Sequence, residues 1–365
     1  MVSTACTGLG RRLRLAVAGA ALVTALTALT VATAGASGLQ VETQAPEARP
    51  DASAATATST SSARSHHRHQ PRSDTPVFVL DKGRFSAFDA PGQGAAEFQR
   101  INNRGQIVGA YTKQRLPAGS VFGGYLRDRR GRITTFDLPG AASTTPLDNN
   151  DRGEIVGNYQ VEVGGPLRGY LRDRRGRFRT IQVPGSVSTQ AYGINNRGQV
   201  VGDYTGVDGV PHGYLWTRGR FTTIDGPAGT GATLTNLNDR GQIIGVYVDP
   251  ADPPGTLDGF LLSGGRYTAF DPDDTALTLP LGINDRGEIA GYTAAQFTAT
   301  EDADAHGFVL RQGAGGPVTR IDVPGALGTG AMGINDLGQV VGVYINPKGA
   351  PSPQAAETAP MARMA

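Results

Sequence analysis

Apolar and polar positions along this chain alternate in short runs rather than at helical spacing. Residues 191 to 225 show the unit most clearly: Ala-Tyr-Gly-Ile-Asn, a turn, Gln-Val-Val-Gly-Asp-Tyr, a loop, His-Gly-Tyr-Leu-Trp, a turn, then Arg-Phe-Thr-Thr-Ile-Asp. Each run is rich in β-branched or aromatic residues and is bounded by Gly, Asn, Asp or Pro, the pattern of strands in an antiparallel meander. Four strands, A to D, make one unit. The A to B connection, Asn195 to Gln199, fits a three-residue hairpin: Asn opens a type I turn and Gly198 takes the left-handed position of a bulge. Gly202 lies inside strand B, where a missing side chain marks close approach of a neighbouring backbone or ring. Tyr214 of strand C is expected to fill the space between adjacent sheets.

The unit recurs. Its turn glycines are Gly105, Gly153, Gly198, Gly241, Gly287 and Gly338, spaced 48, 45, 43, 46 and 51 residues apart, a period typical of propeller blades. One four-stranded sheet cannot bury both of its faces, whereas several arranged radially bury each face against a neighbour. The termini fit this scheme. Phe78-Val79-Leu80 and Arg84 to Asp89 match strands C and D, and the array stops after A and B at Ile334 to Ile345. The expected fold is all-β: a six-bladed β-propeller of four-stranded antiparallel blades. Five blades are continuous, starting near 101, 149, 194, 237 and 283, and the sixth joins 334–345 to 77–89. A β-solenoid is the alternative, but its coils are usually shorter than these units.

The combination Gly-Ile-Asn-x-x-Gly-Gln-Val-Val-Gly-x-Tyr, His-Gly-Tyr-Leu and Phe-x-x-Ile-Asp-x-Pro-Gly resembles the extracellular His-Ala-Phe (HAF) repeat family. The resemblance covers about three quarters of the chain and implies a propeller-like fold and export from a bacterial cell, not a reaction. This sequence departs from the pattern in places. His212 and His306 have Arg168, Asp258 and Gly123 as counterparts, and the second repeat reads Asp148-Asn149-Asn150 where others read Gly-Ile-Asn.

Ahead of the array, residues 1–36 contain no acidic side chain, and Arg11, Arg12 and Arg14 precede an apolar run from Leu15 to Val31 that ends in small residues. This reads as a secretory signal peptide; a retained anchor is the alternative. Residues 37–75, rich in Ala, Ser, Thr and Pro, read as a disordered linker, residues 76–346 as the propeller and 347–365 as a disordered tail. Loss of the leader removes three arginines and the sole cysteine, Cys6, and takes the formal charge from +2 to −1. The mature chain thus has no disulfide and no thiolate metal site. Its charge does not point to nucleic acid, and no stable membrane span remains.

Candidate chemistry is sparse. His212 and His306 occupy one repeat-equivalent position before the glycine of strand C, which favours structural roles over acid–base catalysis. His66-His67-Arg68-His69 lies in the linker, where flexible chain gives no preorganised metal site. The Asn ending strand A recurs as Asn102, Asn150, Asn195, Asn238, Asn284 and Asn335 and is explained by turn capping. Arginines 127, 129, 130 and 132, and 172, 174, 175, 177 and 179, read as solvated hairpin rims. Three acidic groups, Asp249 with Asp252 and Asp258, Asp271 with Asp273 and Asp274, and Glu301 with Asp302 and Asp304, fall in loops of the opposite face. Their oxygens suit calcium, but none forms a recognised calcium loop. No metal or cofactor is assigned.

Function on a repeat scaffold must break the repetition. The residue before Ile-Asn is Gly193, Gly282 or Gly333 in three blades but Arg100, Asp148 and Asn236 in the others. Strand A should line the channel, so Arg100, Asp148, Asn149 and Asn236 are the candidate ligand-binding residues, with an Arg100–Asp148 ion pair as the structural alternative. The expectation is a secreted or envelope-bound monomer acting as a binding module. Its partner would be a cell-wall polymer, glycan or protein, met by the loops 112–123, 160–167, 205–211, 248–257 and 293–305. A carbohydrate hydrolase or lyase using Arg100, Asp148 and a loop carboxylate, and a purely structural surface protein, are the competing readings.

Overall fold

A computed structural model of the chain describes residues 76–92, 96–116, 119–207, 209–253, 256–273, 275–295, 305–311 and 314–345. The expected leader, linker with its histidine cluster and C-terminal tail lie outside them, as do Asp274, Glu301, Asp302 and Asp304.

The strands are β1 (Val77–Asp81), β2 (Arg84–Phe88), β3 (Ala96–Ile101), β4 (Ile107–Leu116), β5 (Gly119–Arg127), β6 (Ile133–Phe136), β7 (Ser143–Asn149), β8 (Ile155–Gln160), β9 (Arg168–Arg172) and β10 (Phe178–Ile181). They continue as β11 (Ser188–Ile194), β12 (Val200–Thr205), β13 (Pro211–Thr217), β14 (Arg220–Ile224), β15 (Ala232–Leu237), β16 (Ile243–Tyr247), β17 (Asp258–Ser263) and β18 (Arg266–Phe270). The last are β19 (Leu277–Ile283), β20 (Ile289–Ala294), β21 (Ala305–Leu310), β22 (Val318–Ile321), β23 (Gly328–Ile334) and β24 (Val340–Ile345). Five blades take four consecutive strands each, from β3 to β22, and the sixth has the order β2-β1-β24-β23. This is a six-bladed propeller. Its ring is closed by β1 against β24, with Val77 opposite Val343 and Leu80 opposite Val340. Val77 and Phe78 are fully buried there.

Inner strands begin earlier than the apolar pattern indicates. In blade 3 the strand starts at Ser188 rather than Ala191 because its first residues are polar yet used inside the protein: Val183 N donates to Thr189 Oγ1 at 3.1 Å, and Gln190 Nε2 to Asp203 Oδ1 at 3.2 Å. The segment 112–123, expected as a loop, is largely strand. Here β4 and β5 run on past the sheet as a ribbon, pairing Thr112 with Phe122 and Leu116 with Gly119. Its polar Lys113-Gln114-Arg115 run hid that pairing from the apolar pattern.

The glycine of strand B behaves as expected. A Cβ on Gly202 would lie 1.9 Å from the Gln190 carbonyl oxygen and 3.0 Å from the Tyr214 hydroxyl. Tyr125, Tyr170, Tyr214, Phe260, Phe308 and Phe78, the aromatics of strand C, are all fully buried. Tyr214 packs with Val156 and Ile181 of the neighbouring blade, so it fills the space between sheets. Burying a large side chain of this kind contributes about 1.5–3 kcal/mol.

Each inner strand carries a bulge just before the channel position, as between Ala191 and Gly193 or Pro146 and Asp148. The extra residue turns toward the axis. Leu147, Tyr192, Leu281 and Met332 thereby meet Val246 and Val343 in one buried apolar cluster. In blade 1, Phe98 adopts φ 55, a costly value for a bulky residue, and packs on the same cluster. The axis below the polar mouth is therefore lined largely by apolar side chains, among them Phe98, Leu147, Tyr192, Leu281 and Met332, which surround a second, smaller pocket.

Candidate functional site

The mouth is built from the six A to B turns. Each turn Asn uses its side-chain oxygen locally: Asn195 Oδ1 accepts from Arg197 N at 3.1 Å and Gln199 N at 3.0 Å. This is the expected capping. The side-chain nitrogens do something the sequence reading missed. Asn102 Nδ2 donates to the Asn150 carbonyl, Asn150 to Asn195, Asn195 to Asn238, Asn238 to Asn284, Asn284 to Asn335 and Asn335 to Asn102, at 2.9 to 3.1 Å. The second proton of each amide goes to the Gln or Glu after the turn glycine, as from Asn238 to Gln242 Oε1 at 2.7 Å.

A second circuit lies one residue further along. The backbone N–H of Asn103 donates to Asp151, Asp151 to Asn196, Asn196 to Asp239, Asp239 to Asp285, Asp285 to Asp336 and Asp336 to Asn103, always to the side-chain Oδ1 and within 2.6 to 2.8 Å. Four carboxylates and two amides therefore ring the mouth. The remaining oxygen of Asp151 accepts from Asn103 and Asn196, and that of Asp336 from Asn103. Among the described residues, Asp239 Oδ2 and Asp285 Oδ2 accept no hydrogen bond. Burial raises the Asp285 pKa, and the like charges of Asp336 and Asp239 raise it further.

Beneath this ring lie the exceptions that the repeat exposed. Arg100, Asp148, Asn149 and Asn236 all line the mouth. Asp148 and Asn236 form a bond across blades, Asn236 Nδ2 donating to Asp148 Oδ2 at 3.1 Å. The same oxygen accepts from Ile194 N at 2.8 Å, and Asp148 Oδ1 accepts from Asn149 N at 2.9 Å. Burial raises the Asp148 pKa to about 6, against the opposing pull of Arg100 and these donors. Asn149 sends its amide the other way, to the Gln106 carbonyl of blade 1 at 3.2 Å. Its Oδ1 is buried without a partner.

The expected ion pair between Arg100 and Asp148 does not form, because Asp148 is bound by its other donors and Arg100 folds over blade 6. A Cβ on Gly333 would lie 3.1 Å from Arg100 Cδ, and one on Gly193 would lie 2.8 Å from Asn236 Cα. Gly333 and Gly193 thus make room for Arg100 and Asn236, while Gly282 lies against the backbone of Gly333. Arg100 is only 7% exposed. Its Nη1 donates to the Gln99 carbonyl at 3.1 Å, whereas Nε is buried without an acceptor in the protein. Burial lowers its pKa to about 10, and the Asp148 charge only partly restores it.

In overall shape the chain superposes on a TolB-designated protein from Agrobacterium tumefaciens with a TM-score of 0.53 at 13% identity, over 75% of this chain and 99% of that one. TolB from Acinetobacter baumannii follows at 0.45 and 13%, over 74% and 63%, and AofleA from Arthrobotrys oligospora at 0.41 and 13%, over 73% and 81%. Only the fold is shared. No protein-family model and no curated protein matches the chain.

The remaining candidates fall outside this mouth. Each histidine of the propeller pairs with the aspartate after strand D: His212 Nδ1 with Asp225 Oδ1 at 2.9 Å, and His306 Nδ1 with Asp322 Oδ1 at 3.0 Å. These ties join strands C and D, as the structural reading expects. Arg127 lies over Phe88, Arg172 over Phe136 and Arg179 over Trp216, so part of the basic rim packs on aromatic faces of adjoining blades. Of the acidic loop groups, Asp273 is ion-paired with Arg320 at 2.7 Å. Asp249, Asp252 and Asp258 do converge, with one oxygen from each within 4.8 Å of the others. Burial and proton sharing with Asp252 raise Asp258 to about 6. They sit on the face opposite the Asn turns, so this acidic cluster does not join Arg100 and Asp148, whose carboxylate neighbours in the mouth are Asp151, Asp239, Asp285 and Asp336 of the turns. Among the described residues, no helix is long and apolar enough to cross a membrane.

One buried group carries a signal that the repeat contained but the sequence reading passed over. Aligned on the turn glycine, strand B reads Ala110, Asn158, Asp203, Val246, Tyr292 and Val343 at the same place. Asp203 is 2% exposed, accepts from Gln190 Nε2 and Thr233 Oγ1, and has no cationic neighbour among its bonds. Burial raises its pKa to about 7.

Proposed function

We propose that the chain is an exported binding module whose ligand enters the polar mouth of the propeller at the A to B turns. The observation that carries this reading is Arg100: a nearly buried guanidinium whose Nε has no acceptor in the protein, at a level of the mouth where the sixfold pattern is broken. A buried charge without full hydrogen bonding is costly, and a ligand that supplies acceptors would recover that cost. Export is supported by the basic and apolar leader of residues 1–36 and by the resemblance to the HAF repeat. Asp148 and Asn236 stiffen the wall opposite Arg100, and Asn149 supports the neighbouring turn. The partner classes are a cell-wall polymer, glycan or protein.

The reading is tested by a binding screen of the full chain against glycans, cell-wall polymers and their peptide fragments, repeated with Arg100→Ala and Asp148→Ala. Binding that falls at least tenfold with Arg100→Ala is the expected result. A ligand found by the screen that is indifferent to both substitutions removes the mouth as the site.

A further inference from the structure

The mouth has two chemically opposite ends. At its floor, the nearly buried Arg100 keeps Nε without a protein acceptor and lines both the mouth and the apolar pocket below it. At its rim, Asp239 and Asp285 in adjacent blades each keep one carboxylate oxygen free of hydrogen bonds, and Asp285 stands close enough to Asp239 and Asp336 for their charges to disfavour its ionisation. An anion alone would have to pass a ring of four carboxylates. A cation alone would leave the buried guanidinium unmatched. We infer that the mouth takes a ligand with a carboxylate at one end and an ammonium at the other, held between Arg100 and the Asp239–Asp285 pair. This rests on the mouth being the binding site.

Spacing narrows the class further. The rim column stands three residues beyond the Arg100 column along each inner strand and turn, an offset along the axis of at most about 10 Å at about 3.3 Å per residue, and the two ends lie on different blades. The two charges of an α-amino acid sit on one carbon and cannot reach both ends. A ligand with the charges at opposite ends of an extended chain can, so the class is the ω-amino carboxylates and lysine- or diamino-acid-bearing peptides with a free carboxylate. Guanidinium pairs a carboxylate through parallel N–H donors, and an ammonium suits point contacts with carboxylate oxygens.

The experiment is calorimetric titration of the full chain with 6-aminohexanoate, hexanoate, hexylamine, glycine and calcium chloride. Expected is saturable binding of 6-aminohexanoate, at least tenfold weaker binding of the single-charged analogues and glycine, and loss on Arg100→Gln. Because Arg100→Gln alters a buried position, Asp285→Asn at the rim serves as a second variant; it should weaken 6-aminohexanoate at least fivefold and leave hexanoate unchanged. Hexylamine or calcium binding as tightly as 6-aminohexanoate would replace the inference with a simple cation site. No binding of 6-aminohexanoate also overturns it. If a polymer from the screen still binds in an Arg100-dependent way, the mouth remains the site and only the ligand class falls; if that binding ignores Arg100, the proposed function falls as well.

Discussion

The carboxylate of Asp148 in blade 2 accepts a hydrogen bond from the side-chain amide of Asn236 in blade 4, 3.1 Å away. Between them lies blade 3, where Gly193 leaves room for Asn236 and Ile194 N donates to the same carboxylate oxygen. Removing the donor leaves a buried carboxylate oxygen one bond short, which costs about 1–3 kcal/mol. Asn236→Ala should therefore lower the melting temperature by several degrees, at about 2–4 °C per kcal/mol for a domain of this size. Calorimetric melts of the variant and the parent check this, and an unchanged midpoint would contradict the bond's contribution.

Asp203 sets a pH dependence. Its pKa is about 7 in the folded chain, against about 3.9 for a solvated aspartate, so the folded state holds the proton more tightly. Stability from this group is complete below about pH 4 and is lost as pH rises through 7, by on the order of 4 kcal/mol at 1.36 kcal/mol per unit. Asp203→Asn imitates Asn158, its counterpart in blade 2. The variant should gain stability over the parent as pH rises from 4 to 8, and urea unfolding at each pH reads the difference. A constant difference would refute the assignment.

Ring closure depends on a short segment. Phe78 is buried to 1% exposure and meets Phe85 edge-on at 5.6 Å. Phe78→Ala should cost about 3–5 kcal/mol, and deletion of residues 77–89 should lower the melting temperature more sharply still. A melt unaffected by the deletion would mean that β1 does not hold the ring shut.

Close approach at the strand B glycine predicts a clear contrast. Gly202→Ala puts a methyl 1.9 Å from the Gln190 carbonyl oxygen, so the backbone of two strands must separate. The expected loss exceeds about 4 kcal/mol, in the range reserved for severe core damage. Gly315→Ala, with open space around it and no left-handed backbone, should shift the midpoint by less than about 0.5 kcal/mol.

The Asn circuit can be probed at one link. Asn195→Ala removes two accepted bonds within its turn and two donated bonds, one of them to the next blade. A cost of about 2–4 kcal/mol follows from roughly 1 kcal/mol per bond. Hydrogen exchange should then quicken at the blade 3 and blade 4 turns together; faster exchange in blade 3 alone would show that the blades are not coupled there.

Much of the fold was legible because each blade repeats a local pattern: Gly198 marks a turn, Tyr214 an interior face, and Phe78 with Val340 a split blade. The site was legible only as a list of exceptions, Arg100, Asp148 and Asn236. Their partners lie in other blades, 46 and 88 residues away for Asp148, and no local pattern encodes such a distance. Asn149 stood out because its column is otherwise apolar; it lines the mouth, with its amide tied to the Gln106 carbonyl of blade 1. The Asp239–Asp285 rim was overlooked because capping accounts for the neighbouring Asn, and a variable residue in a turn attracts no notice until six of them face one another.

Every link in the Asn circuit runs in the same rotational sense, and the link from Asn335 to Asn102 has the same geometry as the five between consecutive blades. The circuit does not register where the polypeptide begins. Tyr344 N donates to the Pro76 carbonyl at 3.4 Å, so the two ends of the propeller already touch. Covalent order is thus interchangeable with non-covalent order in this molecule: a gene permuted to start in another blade would encode the same closed object, with its seam moved and its mouth intact.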